Sequence, residues 1–330
     1  MKSKESAGRL LFKNIPLLLF IIIFVLFGLF SPKFLSMASF SNIILNSSYV
    51  GIIGIGIMFV LLTAGIDLSV GSVMYLSAAS TGLLIARFHV PTAAGVVAGI
   101  GVALLIGLIN AFCIIKLKIL PFVTTLGMMT AGRAIGTWMT RSESVSLPKS
   151  ITSLGSQKIA NVPMAILLFL AIAAAAALFL ARTRLGRQIY AVGNNPEDAR
   201  KAGISNDKIL FTVYMLSALL AGIGGIISVA QIGIVNASFG KGEEFNAIAA
   251  AVLGGTSLAG GSGKVSGTIL GAVTIQMIQS GLVYMQVDMY IQPLISAGII
   301  FLAVFLDSVR GRYMAKAEAR NIRNENLASE

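Results

Sequence analysis

Long apolar runs separated by short polar segments dominate the chain, and they predict a membrane protein made of helices. Several runs exceed the roughly 18 apolar residues that indicate a membrane-spanning helix. No strand-like alternation of apolar and polar positions occurs, so the backbone can satisfy its hydrogen bonds in lipid only as helices. The predicted fold class is all-α: a polytopic helical membrane protein with about ten transmembrane helices. The predicted spans are residues 15–31, 43–64, 68–86, 92–115, 120–139, 163–181, 210–232, 247–259, 265–283 and 291–306.

The composition excludes a soluble protein. Of 330 residues, 56% are hydrophobic and only 12% are charged, with a mean hydropathy of +0.88. A soluble domain would be about 25% charged. The net charge of +12 could suggest nucleic acid, but the basic residues lie in loops between spans, so no nucleic-acid partner is expected. The single cysteine, Cys113, excludes an internal disulfide.

The distribution of Lys and Arg predicts the orientation. With the N-terminus in the cytoplasm, the internal segments carry eighteen basic residues and the external loops carry six. This bias is typical of bacterial membrane proteins, whose cytoplasmic loops are the positive ones. The prediction is a cytoplasmic segment 1–14, a membrane domain 15–307 and a basic cytoplasmic tail 308–330. Both termini and the loop 182–208 then lie in the cytoplasm.

The loop 182–208 contains the complete signals for one short helix, over residues 196–202. Asn195 is a good N-cap, and Pro196 suits the first helical position. Acidic residues follow Pro196 and basic residues precede the end, as the helix dipole favours. Gly203 can adopt the left-handed conformation that ends a helix. A helix of about two turns is marginal alone, so it requires a docking partner.

Two stretches interrupt the apolar pattern with glycine and polar residues. Residues 63–72 read TAGIDLSVGS, and their Asp67 either caps the following helix or lines a wet cavity. Residues 254–267 read GGTSLAGGSGKVSG and follow an unusually short span. Short, Gly-interrupted spans in two halves suggest an internally repeated transporter with broken helices near its substrate path.

No motif for catalysis is present. The Gly-rich stretch is not a phosphate loop, because Val265 follows Lys264 where Ser or Thr is needed. The one histidine, His89, cannot build a metal cluster, and no nucleophile elbow occurs. We therefore predict no catalytic residue, no metal and no cofactor.

Three classes of function remain. They are the membrane half of an ATP-driven importer, a secondary transporter, and a membrane anchor or scaffold. A secondary transporter usually has acids or histidines within its spans. Here Asp67 is the only carboxylate placed between neighbouring spans. An anchor would not need ten spans with two Gly-rich breaks. The short helix favours the importer, because it gives a separate motor a surface to push on.

Four segments resemble the motifs of the ribose-type sugar permeases of bacterial ABC importers, in the same order. They are residues 63–72, 121–127 (PFVTTLG), 186–203 (GRQIYAVGNNPEDARKAG) and 247–263 (AIAAAVLGGTSLAGGSG). The resemblance implies a permease subunit in the bacterial plasma (inner) membrane. It also implies an ATPase subunit that binds the ATP, an extracytoplasmic sugar-binding protein, and a second permease copy or paralogue.

The resemblance further implies sugar import by alternating access, driven through a cytoplasmic coupling helix. The implied ATPase-coupling residues are Asn195, Pro196, Glu197, Asp198, Ala199, Arg200 and Gly203. A neutral sugar needs polar groups that match its hydroxyls, and the candidates along its path are Asp67, Ser69, Ser72, Asn246, Thr256 and Ser257. The substrate is a ribose-like pentose or a hexose; a nucleoside or an autoinducer-2-like sugar remains an alternative.

Overall fold

A computed structural model describes residues 15–302 and residue 305. The predicted cytoplasmic segment 1–14 and tail 308–330 lie outside the described residues. Thirteen α-helices carry the described part of the fold. They are α1 (Ile15–Phe30), α2 (Met37–Leu62), α3 (Val70–Ala86), α4 (Thr92–Ile115), α5 (Pro121–Thr140), α6 (Lys149–Ser156), α7 (Met164–Arg182), α8 (Arg184–Asn194), α9 (Pro196–Lys201), α10 (Asn206–Ile232), α11 (Glu243–Leu253), α12 (Val265–Tyr284) and α13 (Gln292–Leu302).

The helices agree with the predicted membrane protein. Each of the ten predicted spans contains one helix, and five helices are long and apolar enough to cross a membrane: α2, α4, α7, α10 and α12. Between α5 and α7 the chain forms α6 and short strands. Strand β1 (Val145–Ser146) pairs antiparallel with β4 (Ile234–Val235), and β2 (Lys158–Ile159) with β3 (Val162–Pro163).

The bounds of α11 differ most from the sequence prediction, which placed this span at residues 247–259. The helix begins earlier because Glu243 and Glu244 occupy its first turn, where carboxylates interact favourably with the helix dipole. Gly242 precedes it with φ +88°. The helix ends at Leu253, and Gly255 follows with φ +87°. Left-handed glycines near both ends therefore delimit a helix of only 11 residues.

Helices α2 and α10 form the centre of the fold and run antiparallel. Gln231 near the end of α10 donates to the Ser48 hydroxyl in α2 at 3.4 Å. Further along, Gly224 contacts Ile53, and Gly56 contacts the backbone of Ser217. Glycines at these positions let the two backbones approach closely, as is common between membrane helices.

The packing around this central pair is repeated with inverted direction. Helix α10 packs on α3 and α4, while α2 packs on α11 and α12. Helices α3 and α4 also pack together, as do α11 and α12. If α2, α3 and α4 are replaced in this description by α10, α11 and α12, and the reverse, the same pairs of helices are in contact. Because α2 and α10 are antiparallel, the two halves form an inverted repeat, an architecture shared by many transporters.

The break that corresponds to residues 63–69 is not the predicted Gly-rich stretch 254–267. It is the segment 233–242, because it follows α10 as residues 63–69 follow α2. The two short helices that come after these breaks meet at their first turns. A side chain on Gly71 of α3 would collide with the Glu244 carboxylate of α11. The repeat is thus supported by the structure, with the first break as predicted and a different second break.

Candidate functional site

Three distant segments of the chain meet beside α8, at a place that we call the junction. The Gly261 N–H, from the Gly-rich stretch, donates to the Leu62 carbonyl at the end of α2 (3.0 Å). The Tyr190 hydroxyl of α8 donates to the Gly263 carbonyl (2.8 Å). Burial raises the pKa of the Tyr190 phenol, which favours this neutral donor. Gly193 of α8 packs so closely on Leu62 and Gly261 that no side chain would fit.

Helix α9 leaves the junction directly, and the predicted signals all operate. The Asn195 Oδ1 accepts from the N–H groups of Glu197 (3.0 Å) and Asp198 (3.2 Å), as an N-cap should. Pro196 is the first helical residue, and Gly203 has φ +78°. The helix is one residue shorter than predicted, because Ala202 closes it. The local structure expected of residues 196–202 is confirmed.

The two faces of α9 have different surroundings. Ala199 is only 5% exposed and belongs to the main hydrophobic core. Glu197, Asp198 and Arg200 are exposed. Ala199 therefore seats the helix on its own chain, and the charged residues form the face available to another molecule.

Asp67 lies in a buried group of polar side chains that we call the closed cluster. Its Oδ1 accepts from the Ser69 N–H (2.9 Å) and hydroxyl (2.6 Å), and its Oδ2 accepts from the Ser217 hydroxyl (2.8 Å). The Asn110 amide donates to the Ser69 hydroxyl at 2.9 Å. None of these four side chains is more than 2% exposed. The carboxylate thus bonds to Ser69, directly before α3, and across to α10.

The irregular backbone beside this cluster is satisfied inside the protein. The Ile66 carbonyl accepts from the Tyr214 hydroxyl (3.3 Å) and from the Thr125 hydroxyl (3.4 Å). Non-helical backbone within a membrane protein requires such partners. The second bond joins the 121–127 motif to the 63–72 motif. Ser72, which is fully buried, donates to the Ser69 carbonyl at 2.7 Å.

A second polar region is open. A cavity of about 820 Å³ lies between α2, α11, α12 and α13, and we call it the amide-lined cavity. Of the six predicted path residues, Asn246 alone lines it. Its polar lining residues are Asn42, Asn46, Lys241, Asn246, Gln276, Gln279, Ser280, Tyr284, Gln292 and Ser296. Thr256 and Ser257 lie instead in the Gly-rich stretch beside the junction, where the Ser257 N–H donates to the Ser262 carbonyl (2.9 Å).

The expectation that Asp67 is the only carboxylate between spans is wrong. Glu244 is 4% exposed between α11 and α3, and its Oε1 accepts from the Gly242 N–H at 3.3 Å. Glu243 accepts from Tyr49 (3.4 Å) and from the Asn246 amide (3.3 Å). The sequence prediction assigned both glutamates to an external loop. The helix-dipole rule could have found them, because paired acids before an apolar run are typical of a first turn.

These features define a class of protein: a polytopic helical membrane protein whose inverted halves and broken helices are those of a transporter. Residues 39–306 match the family described as branched-chain amino acid transport system / permease component, and the chain belongs to this family. It is accordingly a multi-pass inner-membrane transport component and not an enzyme. Family membership implies an ATPase subunit, which hydrolyses the ATP, and a substrate-binding protein.

Individual relatives have names that refer to sugars and to autoinducer 2. The ribose import permease protein RbsC of Escherichia coli (strain K12) is 34% identical over 297 residues, which cover 88% of this chain and 92% of RbsC. The fructose import permease protein FrcC of Rhizobium meliloti is 33% identical, with 89% and 84% covered. The autoinducer 2 import system permease protein LsrC of Escherichia coli (strain K12 / DH10B) is 33% identical, with 94% and 90% covered. No solved structure matches the chain.

Proposed function

We propose that this chain is the permease subunit of an ATP-driven importer of a monosaccharide, with α9 as its coupling helix. Two permease copies would form the pathway, with ten spans each and both termini in the cytoplasm. The binding protein would deliver sugar outside, and the ATPase would dock on the exposed face of α9. Movement of α9 would then alternate the access of the pathway between the two sides.

The contacts at the junction are the main support for this proposal. Helix α9 follows α8 without a flexible linker, and α8 packs on the end of α2 through Gly193 and is hydrogen-bonded to the Gly-rich stretch through Tyr190. A force on the exposed face of α9 can therefore reach both halves of the inverted repeat. Of the predicted coupling residues, Glu197, Asp198 and Arg200 would contact the ATPase, while Asn195, Pro196, Ala199 and Gly203 would hold the helix in shape.

The chemistry of the amide-lined cavity favours a sugar over an amino acid. An amino acid carries a carboxylate and an ammonium group and needs a partner for each. Among the described lining residues, Lys241 is the only charged side chain. Amides and hydroxyls both donate and accept hydrogen bonds, as the hydroxyls of a sugar require. An autoinducer-2-like sugar or a nucleoside fits the same chemistry and remains the second candidate.

Charge reversal on α9 tests the coupling role. The double variant Glu197→Arg, Arg200→Glu changes only the exposed face and keeps the net charge, so the protein should still insert. It should fail to co-purify with the ATPase subunit, and uptake should fall by about tenfold or more, as for loss of a few docking contacts. The matched control is Asp207→Lys, Lys208→Asp, an exposed swap at the start of α10. It breaks the exposed ion pair of Asp207 with Lys118 (3.7 Å), which contributes about 0–1 kcal/mol, so both properties should be unchanged. Normal uptake and co-purification in both variants would show that α9 is an ordinary loop helix.

A further inference from the structure

The lining of the amide-lined cavity includes a buried amide that has an unpartnered nitrogen among the described residues. Gln276 of α12 is 3% exposed and lines the cavity. Its side-chain Nε2 is one of nine buried side-chain atoms that have no hydrogen-bond partner among the described residues, and it is the one of them whose residue lines this cavity. Buried polar groups in folded proteins are nearly always paired, so an exception calls for an explanation. A ligand that brings an acceptor into the cavity would provide one.

Asn246, which lines the same cavity, complements Gln276. Its Nδ2 donates to the Glu243 carboxylate at 3.3 Å, and Glu243 is held in turn by the Tyr49 hydroxyl at 3.4 Å. With the amide nitrogen committed to Glu243, the Asn246 Oδ1 is left as an acceptor. The cavity thus offers one donor, on Gln276, and one acceptor, on Asn246. Each sugar hydroxyl can both donate and accept, so two hydroxyls of one sugar could use this pair.

The remaining walls suit a neutral polyol. Six further amide and hydroxyl groups come from Asn42 and Asn46 on α2, Gln279 and Ser280 on α12, and Gln292 and Ser296 on α13, and Lys241 is the one charged group among the described lining residues. Phe245 and Tyr284 add aromatic rings, whose faces can cover the apolar side of a sugar. A volume of about 820 Å³ is within the usual range of small-molecule pockets, roughly 300–1,000 Å³.

We propose that the amide-lined cavity is the sugar-binding site of the permease during transport, with Gln276 and Asn246 as the residues that hold two hydroxyls of the sugar. This inference rests on the proposed function, and it adds where in the chain the substrate binds. The permease then selects its substrate a second time, after the separate binding protein has delivered it. Compounds without hydroxyls at the matching positions should be transported poorly even when the binding protein delivers them.

Uptake of radiolabelled ribose and fructose by cells expressing the complete importer tests the site. Gln276→Leu keeps the size of the side chain and removes the amide, and uptake should fall by about tenfold, the effect of one lost hydrogen bond at the upper end. Gln231→Leu is the matched control, because this amide on α10 does not line the cavity, and its uptake should stay near that of the unaltered protein. Amounts in the membrane and co-purification with the ATPase verify that both variants assemble.

A labelling experiment provides a second, independent readout. With Cys113→Ala as background, a cysteine introduced by Gln279→Cys should react with a thiol reagent, and the transported sugar should slow this reaction. If the unaltered importer transports neither these two sugars nor any other pentose or hexose offered to it, the proposed monosaccharide function fails and the site fails with it. If it transports a sugar while Gln276→Leu retains full uptake and Gln279→Cys shows no protection, only the site is wrong. Loss of assembly in Gln276→Leu, with no protection of Gln279→Cys, would mean that the cavity is a contact between permease copies, and it would overturn the site.

Discussion

The closed cluster and the amide-lined cavity are built from the same kinds of side chain at corresponding places of the inverted repeat. In the first half, the Asp67 carboxylate binds a hydroxyl across the central helix pair and is joined through Ser69 to an amide of α4. In the second half, Glu243 binds the Tyr49 hydroxyl across that pair, and Gln276, an amide of α12, lies beside Tyr49.

The two regions differ in how tightly the carboxylate is held and in whether a cavity opens beside it; an unpartnered atom alone does not distinguish them, since Asn110 Oδ1 in the closed cluster also lacks a partner among the described residues. Three donors surround Asp67 at 2.6–2.9 Å, and the cluster is closed to solvent. The bonds to Glu243 are longer, at 3.3–3.4 Å, and Gln276 keeps an unused donor beside an open cavity. A polar cluster of the first kind supports the fold, whereas one of the second kind leaves room for a ligand. Asp67 is therefore expected to matter for stability, and Gln276 for transport.

The largest effect is expected where the two halves touch. Gly71→Val would drive a branched side chain into Glu244 and the Gly240 carbonyl. Because the Gly240 carbonyl belongs to the backbone and cannot rotate aside as a side chain can, we expect a loss of about 3 kcal/mol in the free energy of unfolding. Thermal unfolding in detergent and the amount of protein in the membrane would measure it. Gly127→Val is the control, since open space surrounds that glycine. Equal stability of both variants would contradict the close contact between α3 and α11.

A second prediction compares the two carboxylates. Asp67→Ala leaves the Ser69 and Ser217 hydroxyls buried without their acceptor, at a cost of about 2–4 kcal/mol. Glu243→Ala removes longer bonds beside a cavity that water can enter, so its cost should be smaller. Asp67→Asn should lie between them, because an amide oxygen still accepts. Thermal unfolding of the three variants in one detergent checks the order. If Glu243→Ala destabilised the protein more than Asp67→Ala, the closed cluster would not be the region that supports the fold, and our assignment of the two regions would be wrong.

The smallest expected changes in the free energy of unfolding distinguish the role of Ser217 from that of Gln276. Ser217→Ala removes one donor to Asp67 and should destabilise by about 1 kcal/mol. Gln276→Leu removes an amide whose Nε2 has no partner, so stability should be unchanged or slightly higher. The same unfolding assay distinguishes them. If Gln276→Leu were the less stable variant, its amide would have a structural partner, and the case for a ligand would weaken.

The apolar pattern predicted most of the helices, because length and hydrophobicity alone decide whether a segment is buried in lipid. Local signals also predicted α9, since Asn195, Pro196 and Gly203 act through neighbouring backbone atoms. The start of α11 was missed, because Glu243 and Glu244 looked like loop residues. Their burial depends on contacts with α2 and α3, which are distant in sequence.

The candidate site was less predictable than the fold for the same reason. Asn246 was the one path residue that lines the cavity, and Gln276 was not proposed because a lone amide in an apolar run carries no local signal. The cavity exists only where four separate helices come together. The repeat was inferred from Gly-rich composition, yet its true second break, residues 233–242, is set by the position of α10.

Reconstitution into liposomes tests the central claim most directly. The purified chain would be combined with its ATPase subunit and its substrate-binding protein, and accumulation of radiolabelled sugar inside the vesicles would be measured. We predict accumulation only when all three proteins are present, with the substrate-binding protein on the external face of the permease and ATP on the face that carries the ATPase subunit. Sugar accumulation by the chain alone, driven by a proton or sodium gradient and without ATP, would show a secondary transporter and contradict the account.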